Sequence, residues 1–180
     1  GYLPQDVDLF DATVAENIAR LDPDARDADI IAAAIEAGAH EMILRLPDGY
    51  DTKIDEDGSS LSAGERQLVT IARAFLSDPA LLILDEATSS VDTRTELLLQ
   101  NAMHALRSDR TSFVIAHRLS TIRDADLILV MEHGDIVEKG SHDELIAAEG
   151  AYWRLYRSQF EQAAAGADDP TPEAGGGNDA

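Results

Sequence analysis

The chain of 180 residues is predicted to be an α/β protein, a parallel sheet with an inserted helical subdomain, on three observations. Two short apolar runs, Ala80-Leu81-Leu82-Ile83-Leu84 and Ser112-Phe113-Val114-Ile115, have the unbroken pattern of strands buried on both faces of a parallel sheet. A helical stretch over residues 93–106 separates them, as a crossover between parallel strands requires. A long helical region precedes both and supplies the inserted subdomain.

In chain order, residues 1–10 read as the end of a strand followed by a loop that contains Gln5. From Thr13 to Leu46 the spacing is helical, with Ile30, Ile31, Ala34, Ile35 and then Met42, Ile43, Leu46 recurring on one face. Residues 47–60 form a polar, turn-rich connector. The next helix is expected to start at Ser62, because Ser62-Ala63-Gly64-Glu65 has the form of a capping box. Leu68, Ile71, Ala72 and Phe75 mark its apolar stripe, and Asp78-Pro79 stops it. Residues 127–131 and 136–138, split by His133-Gly134-Asp135, read as a hairpin, and short helices are expected near 142–148 and 150–160. From Glu161 the chain is small, acidic and rich in Gly and Pro, the composition of a disordered tail. The expected organisation is 1–10 sheet core, 11–77 helical subdomain, 78–160 remainder of the core and 161–180 tail.

The charge balance, 14 Lys+Arg against 35 Asp+Glu for a net −21, repels nucleic-acid phosphates and anionic headgroups alike. A nucleic-acid partner is therefore not expected. The absence of cysteine excludes disulfides and thiolate zinc sites and suits a cytosolic setting. No apolar run approaches the roughly 18–20 residues that cross a bilayer.

The chemistry-bearing positions cluster after the strands. Asp85 and Glu86 directly follow the first apolar run, and His117 lies just past the second. In open α/β sheets the ligand crevice lies beyond the carboxyl ends of the strands, so these side chains are expected at one edge. Two acids and an imidazole there suit phosphate-ester hydrolysis, one carboxylate holding Mg²⁺ and the other polarising water. Taken singly, the acid pair reads as a turn or helix cap, the histidine as structural and the capping box as a good helix start. Their order and spacing carry the functional reading.

In that order the segments resemble those of ABC ATPases. Leu61-Ser62-Ala63-Gly64-Glu65-Arg66-Gln67 resembles the signature motif. Residues 81–92, from Leu81 through Asp85-Glu86 to Val91-Asp92, resemble the Walker B strand running into the D-loop. Ala116-His117-Arg118-Leu119-Ser120-Thr121 resembles the switch-histidine segment, and Gln5 in Gly1-Tyr2-Leu3-Pro4-Gln5-Asp6 the Q-loop. The likeness spans roughly residues 1–160 and implies a P-loop NTPase core. It implies that Asp85, with Gln5, attends Mg²⁺, that Glu86 is the general base, and that His117 and Gln5 complete the catalytic set. Ser62, Gly64 and Glu65 would meet the ATP of an opposing subunit, and Asp92 would lie between the two sites. A helix N-terminus favours an anion at Ser62 and Gly64 on physical grounds as well. The segments 51–58 and 134–145 resemble those of multidrug and lipid exporters. A transmembrane domain upstream and a second ABC ATPase domain are the implied partners, at the cytoplasmic face of a membrane.

The chain contains no G-x-x-x-x-G-K-[ST] phosphate loop, and its only lysines are Lys53 and Lys139. Because Gly1 falls inside the Q-loop-like motif, the expectation is a sequence cut before that motif, with the N-terminal strands and the phosphate loop lying upstream. Such a piece alone is expected to bind ATP weakly or not at all. Ala63 stands where the motif often has Gly, and Glu65 where it often has Gln. Two other readings are a non-catalytic or regulatory ABC-like module and an ABC-type ATPase of DNA maintenance. The missing phosphate loop favours the first, and the acidic surface speaks against the second.

Overall fold

The computed structural model describes residues 1–4, 8–55, 60–85, 92–108, 110–116 and 119–165. The chain divides into two compact units, Gly1–Ile115 and Ala116–Ala180. Among the described residues the first unit runs β1 (Tyr2–Leu3), β2 (Ala12–Thr13), α1 (Val14–Ile18), α2 (Asp27–Glu36), α3 (His40–Ile43), a 3-10 turn (Gly49–Asp51) and β3 (Lys53–Ile54). It continues with α4 (Ala63–Ser77), β4 (Leu81–Asp85), α5 (Thr93–Arg107) and β5 (Thr111–Ile115).

β1, β4 and β5 form a parallel sheet in the order β1-β4-β5. Its register pairs Leu3 with Leu84 and Asp85 with Ile115, so all three strands end at the same rim. The expected helix–strand alternation is thus present. Burial of both strand faces is not. Leu82 and Leu84 are fully buried and join Leu3 and Val114 in the core, whereas Leu81 and Ile83 are 44% and 41% exposed. Tyr2, Phe113 and Ile115 are exposed beside them, so an apolar sheet face lies open. Unbroken apolarity signals a strand that two layers can cover. In this unit α4 packs on β1 and the core, and no second layer is present among the unit's described residues.

The helical spacing over 13–46 resolves into three separate helices rather than one region of continuous helix. α1 ends where Arg20 and Leu21 take left-handed backbone angles, φ 55° and 62°, followed by Pro23. α2 ends at Gly38, whose φ of 67° suits a residue without Cβ. The connector over 47–60 is not wholly irregular either. β3 within it pairs antiparallel with β2, Ala12 opposite Ile54. Glu56, Asp57 and Gly58 of the exporter-like segment lie outside the described residues.

α4 is the central element of this unit. Its buried residues Leu68, Val69, Ile71, Ala72 and Ala74 repeat at helical spacing, and it packs against α1, α2, α5 and β1. Asp78 closes it in a left-handed conformation, φ 39°, and its carboxylate accepts a 2.6 Å charge-assisted bond from Arg110.

The second unit contains α6 (Leu119–Arg123), the antiparallel hairpin β6 (Ile128–Glu132) and β7 (Asp135–Gly140), α7 (His142–Ala147) and α8 (Ala151–Ala165). The hairpin turns at His133-Gly134, both with positive φ, where the sequence placed it. A small core of Ile128, Leu145 and Tyr152 holds the unit together. The Glu138 carboxylate accepts from the backbone N–H of Ala151 (2.7 Å) and Tyr152 (2.9 Å), capping α8 from β7. Those two bonds hold the Glu138 carboxyl below the usual carboxylate range. α8 continues past Glu161 to Ala165, so the first residues of the expected tail are helical; residues 166–180 lie outside the described residues. Among the described residues, no helix is long and apolar enough to cross a membrane.

Candidate functional site

The rim of the parallel sheet is where the sequence places its chemistry. β1, β4 and β5 run the same way and stop in register, so their last residues, Leu3, Asp85 and Ile115, lie at one edge. Gln5 comes two positions after β1, Glu86 one position after β4 and His117 two positions after β5. Gln5, Glu86 and His117 themselves lie outside the described residues. Asp85, the last residue of β4, is half-buried opposite Ile115 and belongs by strand alternation to the open face.

Among the described residues there is no cluster of three or more His, Cys, Asp or Glu side chains able to hold a metal ion. A nucleotide-associated Mg²⁺ needs no such cage. It takes one or two carboxylates together with phosphate oxygens and waters. A single hard-oxygen donor at a strand end, as Asp85 is, fits that coordination habit.

Ser62 and Glu65 form the capping box that the sequence predicts. The Ser62 hydroxyl accepts from the Glu65 N–H (3.3 Å), and the Glu65 carboxylate accepts from the Ser62 N–H (2.8 Å). Ser62 and Ala63 are exposed while Gly64 is buried, so the first turn of α4 opens to solvent on its serine side. Leu61, 3% exposed, anchors the approach, and its carbonyl accepts from Arg66 Nη1 (2.8 Å). The motif-like segment is therefore a capped helix start with Ser62 exposed to solvent.

Asp92 caps α5. Its carboxylate accepts from the N–H groups of Arg94 and Thr95, both at 3.1 Å. The bonds from Thr95, then that from Arg94, lower its pKa from the ordinary carboxylate value. Glu65 and Asp92 are thus both acceptors engaged at helix N-termini.

The sequence reading passed over one polar cluster. Asn17, fully buried, accepts through Oδ1 from the Phe10 N–H (2.8 Å) and donates through Nδ2 to the carbonyls of Phe10 and Thr13, both at 3.0 Å. Arg73 on α4 donates from Nη2 to Asn17 Oδ1, from Nε to the Asn17 carbonyl (2.7 Å) and from Nη1 to the Asp8 carbonyl (2.9 Å). Its guanidinium also lies 4.9 Å from the centre of the Phe10 ring. Burial, with the nearby Arg20 charge, pushes the Arg73 guanidinium down to about 10. A local signal existed: Thr13 and Glu16 form a capping box, which marks the start of α1 and leaves Asn17 as a polar residue within a short apolar helix.

A sequence profile described as ABC transporter matches residues 1–89. A fatty acid ABC transporter ATP-binding/permease protein of Mycobacterium tuberculosis is 59% identical over 158 residues, 88% of this chain and 25% of that protein. An ATP-dependent lipid A-core flippase of Chromohalobacter salexigens is 53% identical over 163 residues, 91% of this chain and 28% of that protein. The chain thus spans about a quarter of the length of these relatives. A solved structure of a bacterial Atm1-family ABC exporter with ATP bound is similar over 96% of this chain and 29% of its own, with a TM-score of 0.78 and 43% identity. The chain, an α/β unit built on a parallel sheet, belongs to the ABC transporter family.

Proposed function

We propose that this chain is part of the ATP-hydrolysing domain of an ABC exporter, in which hydrolysis of the γ-phosphoryl bond drives movement of a substrate across a membrane. The observation that carries the reading is the parallel register of β1, β4 and β5, which ends three strands at one rim. At or just after these strand ends in sequence come a glutamine, an acid pair and a histidine.

On this reading Glu86 accepts a proton from, or polarises, the water that attacks the γ-phosphorus. His117 contacts the γ-phosphate, and Gln5 orients the water. Asp85 would hold Mg²⁺, which when bound neutralises charge on the phosphate oxygens. Ser62 and the free N–H groups of the first α4 turn bind the γ-phosphate of ATP held by a second such domain. Glu65 and Asp92 serve this arrangement as helix caps that set where α4 and α5 begin. In the full-length protein a transmembrane domain and a second ATPase domain are the partners, and the ATPase pair sits at the cytoplasmic face of the membrane.

The test is Glu86→Gln in the full-length protein. ATP binding is expected to persist while turnover falls by about 10²–10⁴-fold, the usual contribution of a general base. Turnover within a few-fold of the unaltered protein would remove Glu86 from the water-activating role.

A further inference from the structure

We infer that Arg73 and Asn17 are positioning residues, which lock the segment leaving the sheet rim onto α4 so that the two move as one body. This rests on the ATPase reading for its consequence and on geometry for the lock itself.

The segment 8–13 lies between the rim of β1 and the start of α1. It contributes no regular element beyond the two residues of β2, and its apolar anchor is half-buried Leu9, packed on the core beside an exposed Phe10. Its backbone is held largely by polar contacts. The Phe10 N–H and the Phe10, Thr13 and Asp8 carbonyls all bond to the side chains of Asn17 or Arg73. Arg73 is the part of this set that belongs to α4, and it binds both the segment (Asp8) and the helix after it (the carbonyl and Oδ1 of Asn17).

Two features argue that this is more than ordinary packing. A guanidinium held against desolvation costs stability unless its donors are matched, and an apolar side chain at Arg73 would bury with no such cost. Arg73 also places its three bonds on three nitrogens, Nε, Nη1 and Nη2, in a fixed planar fork that the single ammonium nitrogen of lysine does not reproduce. The polar lock therefore fixes a geometry. Ser62 caps the same helix, so a shift of segment 8–13 is carried along α4 to the turn proposed to meet the opposing nucleotide.

The experiment uses the full-length protein with Arg73→Lys and, separately, Asn17→Ser. Amide hydrogen exchange over residues 8–13 is expected to accelerate in both, while residues 68–76 of α4 keep their protection. The kcat for ATP hydrolysis is expected to fall about tenfold, with KM for ATP within about twofold, as for loss of a contribution made after nucleotide is bound. Leu68→Ala, which weakens the same helix without touching the lock, is the control for plain destabilisation. Below its melting temperature its kcat is expected to stay near that of the unaltered protein. Unchanged exchange over 8–13 in both variants overturns the lock. Faster exchange with unchanged kcat overturns its role in turnover. If the unaltered protein hydrolyses no ATP, it is the ATPase reading that fails, and the exchange data still decide the lock.

Discussion

Ser62 shows how one residue can serve stability and function at the same place, and how the two can be separated. Its hydroxyl satisfies the Glu65 N–H at the start of α4. Ser62→Ala removes that acceptor and is expected to cost about 1 kcal/mol of stability, the usual loss at an N-cap. Ser62→Asp keeps a good cap, because aspartate is as effective as serine at that position. It also puts a carboxylate where the opposing γ-phosphate is proposed to bind. Thermal melts of the two variants in the full-length protein are therefore expected to rank alanine below aspartate, and ATPase rates to rank them the other way, with aspartate losing more than about tenfold. Equal activity of the aspartate variant and the unaltered protein would take the phosphate away from this turn. The residue scale also explains what could be read in advance. The Ser62–Glu65 box is legible because both partners lie within one helical turn. The Asn17–Arg73 contact joins side chains 56 positions apart, and no local pattern names such a partner.

At the scale of elements, α4 binds the first unit together. Its apolar stripe faces α1, α2, α5 and β1, and Leu68 is 1% exposed within it. Leu68→Ala leaves a cavity among well-packed neighbours and is expected to cost about 2–5 kcal/mol, read from denaturant unfolding. A loss below about 1 kcal/mol would mean that the surrounding helices collapse onto the gap. Periodicity located α4, α5 and the β6–β7 hairpin because each is a local pattern with its own stop signals. It ran α1, α2 and α3 together because the breaks are backbone events. Arg20 and Leu21 adopt left-handed angles that neither residue type advertises. The two-residue strands β2 and β3 are too short to show alternation, and only their mutual pairing defines them. The apolar runs that became β4 and β5 were legible as strands, and their composition anticipates two covered faces. The described residues of the first unit cover one.

For the whole molecule, an open apolar sheet face and a net charge of −21 act against each other. Self-repulsion keeps copies apart near neutral pH, and exposed Ile83, Phe113 and Ile115 favour their association. As pH falls toward the isoelectric point near 4.3, the repulsion vanishes first. The folded state is weakened separately. The carboxyls of Glu16, Glu138 and Glu144 are lowered from an ordinary 4.5, and that of Asp92 from 3.8, mainly by backbone or side-chain hydrogen bonds at helix starts. Groups with depressed folded-state values add stability that is fully present above their ordinary values and is lost as pH falls through the depressed ones. Association is therefore expected to begin while the helices are intact, and helix loss to follow at lower pH. Light scattering and far-ultraviolet circular dichroism, recorded together on the chain from pH 7 to pH 3, test this order. Scattering that rises near pH 4.3 ahead of any fall in helicity supports it. Helicity that falls first would place the weakness in the helix caps instead of the uncovered sheet. Moderate salt at pH 7 is expected to promote the same association by screening the repulsion, since the Debye length is about 8 Å at 0.15 M and shortens further with added salt.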